Sequence, residues 1–200
     1  MSETKEVKIG MFGGGGVGKT CITLRFLKGE FTEGYIPTIE DQFSKVVEVD
    51  GKPISLSIVD TAGQDDFKEM RYSYYKQVTG FVLVFDIGNP QSIDDLREMY
   101  ADIQDAVDGE VQCIVAANKA DLRDENGSDL VPKEEYDKIK KEFKCEVLET
   151  SAKTGTNIED LYIHLIKLII GGGSSKAPSQ KTEKKEPKKQ EDSGGCCNIA

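Results

Sequence analysis

Short apolar runs alternate along the chain with stretches of helical period. Val7–Phe12, Ile54–Val59, Phe81–Phe85, Val111–Ala117 and Cys145–Glu149 are compact runs rich in branched and aromatic residues, as strands in a covered sheet require. Between most of them lie Thr20–Lys28, Gln91–Val107, Lys133–Phe143 and Asn157–Ile170, each with helical periodicity. In the last, Ile158, Leu161, Tyr162, Leu165, Ile166 and Ile169 recur at three and four residues and make one apolar face. Phe43–Val49 departs from the alternation, because Asp50-Gly51 behind it signals a hairpin into the Ile54 strand. The pattern predicts an α/β fold, a mostly parallel sheet of about six strands with one antiparallel edge and helices on both faces.

The periodicity stops near Ile170. Beyond it, Gly171–Gly195 holds no aromatic or branched aliphatic residue and cannot bury enough surface to offset its ordering entropy. Residues 1–170 are therefore expected to form one domain and residues 171–200 a disordered tail. The net charge is −10; the tail carries six Lys against four acids, leaving −12 on the domain. An acidic body gives phosphate neutralisation no basic face, so no nucleic-acid partner is expected. Five Cys without a pairing pattern, and no apolar leader, lead to the expectation of a reducing cytosolic setting. Leu161–Ile170 is too short to span a bilayer.

In sheets of this kind ligands bind beyond the carboxyl ends of the strands. The first such turn is Gly13-Gly14-Gly15-Gly16-Val17-Gly18-Lys19-Thr20, which fits the phosphate-binding pattern G-x4-G-K-[ST] between a strand and a helix. Glycines there allow the backbone N–H groups to close around a phosphate chain, and the helix start at Lys19, Thr20 and Cys21 adds its positive end. Lys19 would reach the outer phosphates and the Thr20 hydroxyl would take a Mg²⁺ position. The same glycines also fit G-x-G-x-x-G at 13, 15 and 18. That dinucleotide reading wants an acid ending a second parallel strand, and the next strand here belongs to a hairpin.

Asn118-Lys119-Ala120-Asp121 follows the Val111 strand. A carboxylate at Asp121 accepts from the N1–H and N2 amine of guanine, donors that adenine lacks, and leaving it unpaired is costly. The Lys119 stem can cover the base plane. Thr150-Ser151-Ala152-Lys153, behind another strand, can offer N–H groups to the guanine oxygen. Asp60-Thr61-Ala62-Gly63-Gln64 ends the Ile54 strand. Asp60 suits Mg²⁺ through a water, Gly63 allows close approach of its N–H to a terminal phosphate, and Gln64 can orient water without being a strong base.

Gly13–Thr20, Asp60–Gln64, Asn118–Asp121 and Ser151–Lys153, in that order, resemble the small GTPases of the Ras superfamily, over residues 5–170. Tyr35-Ile36-Pro37-Thr38-Ile39-Glu40-Asp41, continuing through Gln42 and Phe43, resembles the effector loop of the Ras subfamily. The resemblance implies a P-loop G domain of six strands and five helices that binds GTP, GDP and Mg²⁺. It implies that Thr38 meets Mg²⁺ and the γ-phosphate in the GTP state only, that Phe31 packs edge-on against guanine, and that residues 30–42 and 60–76 are switch loops. Ile36 stands where Ras proteins usually carry an acid, so the effector is not specified. Residues 123–132 are too short for a Rho-type insert, and Val59 in place of Trp points away from the Rab branch.

Phosphoryl transfer rests on positioning and charge neutralisation. Lys19, Gln64 and Thr38 are the expected catalytic residues, with Thr20, Thr38 and Asp60 around the metal. Residues 30–42 contain no Arg or Lys, so hydrolysis is expected to be slow without an activating protein that supplies a cation. Arg71 reads as structural. Exchange factors and effectors are the other expected partners of a monomeric chain, and a non-hydrolysing nucleotide-bound adaptor is the alternative. Cys197 stands fourth from the end, where prenylation and carboxyl methylation occur, and Cys196 is a candidate for palmitoylation as the second signal that stable anchoring needs. A site on the cytoplasmic face of the plasma membrane is expected from these two residues. Cys21, Cys113 and Cys145 read as small core residues.

Overall fold

The computed structural model describes residues 5–32, 40–63, 68–123 and 130–171. Among these residues the chain runs β1 (Lys5–Phe12), α1 (Lys19–Lys28), β2 (Glu40–Val49), β3 (Lys52–Thr61), α2 (Lys68–Tyr75), β4 (Gly80–Asp86), α3 (Gln91–Ala106), β5 (Cys113–Asn118), α4 (Lys133–Phe143), β6 (Glu146–Glu149) and α5 (Ile158–Gly171). The six strands form one sheet in the order β2-β3-β1-β4-β5-β6. Only β2 and β3 pair antiparallel; every other neighbouring pair is parallel. The predicted class, strand number and antiparallel edge are found among the described residues, and so are the five helices that the resemblance implied.

Local chemistry explains most of the boundaries. Asp50 and Gly51 turn the β2–β3 hairpin with φ of 51° and 74°, the pair of positive values that matches strand twist in a two-residue loop. Helix α1 ends at Gly29, whose N–H bonds the Arg25 carbonyl. Helix α4 has Glu134 and Glu135 in its first turn and Lys140 and Lys141 in its last, which complements the helix dipole.

The sheet divides the interior into two layers. Ile22 of α1 and Leu161, Tyr162, Leu165 and Ile166 of α5 cover one face, against Ile9, Met11, Leu56 and Ile114. Tyr75 of α2, Leu96, Tyr100 and Ile103 of α3, and Ile139 and Phe143 of α4 cover the other, against Phe12, Phe85 and Val115. Strands β4 and β5 are buried on both sides, which is why they read as unbroken apolar runs.

Several boundaries shift from the sequence pattern, and four differences are larger than a residue of fraying. Helix α2 was absent from it. Strand β5 starts at Cys113, leaving Val111 outside the ladder while the Gln112 carbonyl still accepts from Phe81 N–H at 2.9 Å. Strand β6 starts at Glu146, because Lys144 ends α4 in the left-handed region at φ 52° and turns the chain through Cys145. Strand β2 extends back to Glu40, so Glu40–Phe43, grouped above with the effector loop, lie in the sheet opposite Thr61–Ile58.

Candidate functional site

Loops from the carboxyl ends of β1, β3, β4, β5 and β6 converge at one end of the sheet. The glycine loop leaves β1 and enters α1 through Gly18, at φ 99°. A Cβ on Gly18 would stand 2.4 Å from the Asn118 amide nitrogen, so the position is tied to glycine by conformation and by contact. Lys19 is buried, and its ammonium donates to the carbonyls of Gly13 and Gly14, both at 2.9 Å. The lysine is thus folded back over the loop. Burial pushes its pKa down to about 8, opposed by the charge of Asp60.

Asp60, near the end of β3, is fully buried. Neither carboxylate oxygen meets a hydrogen-bond donor in good geometry among the described residues. Burial pushes the carboxyl up to about 6; the neighbouring Thr20 hydroxyl and Lys19 pull the other way. An enclosed carboxylate without a full donor set, beside a hydroxyl, fits a hard divalent cation. Thr61 donates to the Met11 carbonyl at 2.7 Å and ties the end of β3 to β1. Gly63 packs directly on the glycine loop: a Cβ there would lie 2.3 Å from the Gly14 carbonyl oxygen and 2.4 Å from the Lys19 ammonium. Arg71, from α2, is buried beneath this turn and donates to the Ala62 carbonyl at 3.4 Å. Its charge contributes to lowering Lys19.

The other half of the site comes from β5 and β6. Asn118 is buried and its amide donates to the Val17 carbonyl at 2.8 Å, which fastens the end of β5 to the glycine loop. Lys119 adopts φ 65° and its ammonium pairs with Asp86, at the end of β4, at 2.6 Å. Asp121 accepts a hydrogen bond from the Ser151 hydroxyl at 2.5 Å. The Ala120 N–H bonds the Thr150 carbonyl at 3.0 Å, and Thr150 N–H bonds Ala117 at 2.9 Å. Ala152 is buried behind this pair of loops, while Lys153 is exposed. Cys21 is half-buried in the first turns of α1. Burial pushes its thiol up, and the charge of Lys119 acts the other way.

The residues picked from sequence therefore fall at one sheet end: Gly13–Thr20 and Cys21 from the first turn, Asp60–Gly63 from the third strand, and Asn118, Lys119, Asp121, Ser151, Ala152 and Lys153 from the last two. Phe31 is partly buried and packs against the α1–α5 layer. Tyr35, Ile36, Pro37, Thr38, Ile39 and Gln64 lie outside the described residues, as do Cys196 and Cys197. Asp86 was not picked. Its signal was its place at a strand's carboxyl end, register-paired with Asn118. Among the described residues no group of three or more His, Cys, Asp or Glu could hold a metal, so the carboxylate and hydroxyl of Asp60 and Thr20 would need further ligands from elsewhere. No helix of the described residues is long and apolar enough to cross a membrane.

A family model described as Ras family matches residues 8–171. The chain is 38% identical over 169 residues to Ras-like protein 1 of Saccharomyces cerevisiae, covering 84% of this chain and 54% of that protein. It is 38% identical over 167 residues to Protein ras-1 of Neurospora crassa, covering 83% of this chain and 77% of that one. The match thus spans about half the length of the yeast relative.

Proposed function

This chain belongs to the Ras family of small GTPases, and from that premise we propose that it is a lipid-anchored signalling switch that binds GTP and GDP with Mg²⁺ and hydrolyses GTP slowly when alone. The observation that carries the reading is the fastening of the β5 loop to the phosphate loop by Asn118 to Val17 at 2.8 Å, with the two base loops joined to each other by Ser151 to Asp121. One rigid end of the sheet thereby presents a phosphate cradle and a guanine-type acceptor together.

In this reading Asp121 accepts from the guanine N1–H and N2 amine, and Ser151 holds that carboxylate in place. The Lys119 stem lies along the base, its ammonium held by Asp86. The loop N–H groups of Gly13–Gly18 surround the phosphates. Lys19 exchanges its two carbonyl partners for phosphate oxygens, whose negative charge offsets the burial that lowers its pKa. Thr20 and Thr38, with Asp60 through a water, would hold Mg²⁺, which would supply charge neutralisation at the outer phosphates. Gln64 orients the attacking water and Gly63 reports on the terminal phosphate. An activating protein supplies the missing cation, an exchange factor renews GTP, and effectors bind the Tyr35–Phe43 segment. Prenylation at Cys197, with Cys196 as the second lipid site, places the domain on the cytoplasmic face of the plasma membrane. Residues 171–200 act as the tether.

The test is the identity of the nucleotide released on denaturation, then phosphate release from GTP-loaded wild type and Gln64→Leu. Guanine nucleotide with slow release, slowed further by the substitution, supports the switch. Identical negligible rates favour a nucleotide-bound adaptor. Adenine nucleotide would overturn the role given to Asp121.

A further inference from the structure

Two thiols remote from the nucleotide end were read from sequence as packing residues, and their placement gives them a second property. Cys113 is the first residue of β5 and is buried; Cys145 immediately precedes β6 and is half-buried. The parallel ladder pairs Ile114 with Glu146 and Val115 with Val147. One step back, the same register sets Cys113 opposite Cys145. Strand alternation puts both thiols on the face that holds Val115 and Val147, and both pack into the layer with Tyr100 and Phe143. Facing residues of neighbouring strands lie about 4.8 Å apart, inside the Cα window of roughly 4.4–6.8 Å that a disulfide spans. Both thiols are free.

We infer that Cys113 and Cys145 are a redox-active dithiol, a modification site at which a hydroperoxide closes a reversible intramolecular disulfide. The half-buried Cys145 reacts first. Its sulfur attacks one peroxide oxygen and the O–O bond breaks; the leaving alkoxide, or hydroxide from hydrogen peroxide, takes the thiol proton, and Cys145 becomes a sulfenic acid. The Cys113 sulfur then attacks the Cys145 sulfur, the S–S bond forms and the S–O bond breaks. The departing hydroxide takes the Cys113 proton and leaves as water. Two thiols lose two electrons and the peroxide gains two. The neighbouring thiol and burial push Cys145 above the ordinary thiol range, Glu146 adds to this and Lys140 opposes it, so the thiolate is scarce and the reaction slow. The buried partner intercepts the sulfenic acid before further oxidation because the register sets it directly opposite.

The experiment treats the full-length protein, nucleotide bound, with excess hydrogen peroxide, then blocks free thiols and maps peptides by mass spectrometry. The expected product is a Cys113–Cys145 linked peptide pair, lighter by two hydrogens, which dithiothreitol returns to free thiols. In Cys113→Ala the link is lost and Cys145 proceeds to sulfinic acid. Wild-type mapping alone decides the matter if that variant folds poorly. Over-oxidised Cys145 in wild type without a link, or both thiols unreacted while Cys21 is oxidised, overturns the inference. The nucleotide found in the preparation bears on the switch reading and not on this one.

Discussion

Replacing Asn118 by alanine tests whether the two halves of the site are mechanically one. The amide donates at 2.8 Å to the Val17 carbonyl, and both residues are about 1% exposed. Its oxygen lies 3.4 Å from the Thr150 hydroxyl, a weak contact. Asn118→Ala leaves the Val17 carbonyl enclosed without its donor, a penalty of about 1–3 kcal/mol. The small void left behind adds about 1 kcal/mol and brings the total to about 2–4 kcal/mol. For a domain of this size each kcal/mol moves Tm by roughly 2–4 °C, so the variant is expected to melt about 4–16 °C lower. Nucleotide-stripped protein is the sample to use, since loss there belongs to the tie itself and not to a ligand contact. Gly18→Ala supplies the second arm. Its Cβ would press on the same amide at 2.4 Å and strain a residue at φ 99°, so alone it carries both a strain and a contact cost. In the Asn118→Ala background the contact cost disappears, and the double variant should lose about 1 kcal/mol less than the sum of the singles. Strict additivity, with Asn118→Ala within about 1 °C of wild type, would refute the reasoning.

Glu149 accepts from Arg123 at 2.6 Å and Tyr136 at 3.0 Å and pairs with Lys133 at 3.2 Å. Burial raises its carboxyl, but these partners outweigh it and leave the group below its usual range. A lowered acid stabilises the fold above its unfolded pKa and loses that contribution as pH falls through the folded one. Glu149→Gln should therefore cost about 1–2 kcal/mol in urea melts at pH 7, a difference that closes in acid. Gly63→Ala forces backbone to move, since the obstructing atom is the Gly14 carbonyl, and should lower stability by about 2–3 kcal/mol by calorimetry. Asp86→Ala frees the Lys119 ammonium from its 2.6 Å partner and should speed guanine-nucleotide release roughly 2–5-fold in a fluorescent-analogue chase.

The sheet was legible because its central strands are covered on both faces and so read as apolar runs that nothing interrupts. The glycine loop was legible because phosphate contact demands backbone without side chains at fixed spacing. Helix α2 was not: Lys68–Tyr75 is eight residues long, polar, and too short for its period to stand out. Val111 was assigned to a strand on hydrophobicity alone, although the ladder begins at Cys113. The Asp86–Lys119 pair was hidden because it joins different strand ends, and a sequence pattern carries no information on which strands are neighbours. Arg71, read as structural from the sequence, is buried and bonds the Ala62 carbonyl.

The ties that build the nucleotide end are long in sequence: Val17 to Asn118 spans 101 positions, and Asp121 to Ser151 spans 30. Strand β1, made first, lies between β3 and β4 and needs both before its loop is supported. A chain leaving the ribosome can thus hold its phosphate loop for most of synthesis with no completed place for a base. If Asp121 and Ser151 act as proposed, competence to capture nucleotide arrives only once residues near Lys153 have emerged, when α5 alone is still to follow.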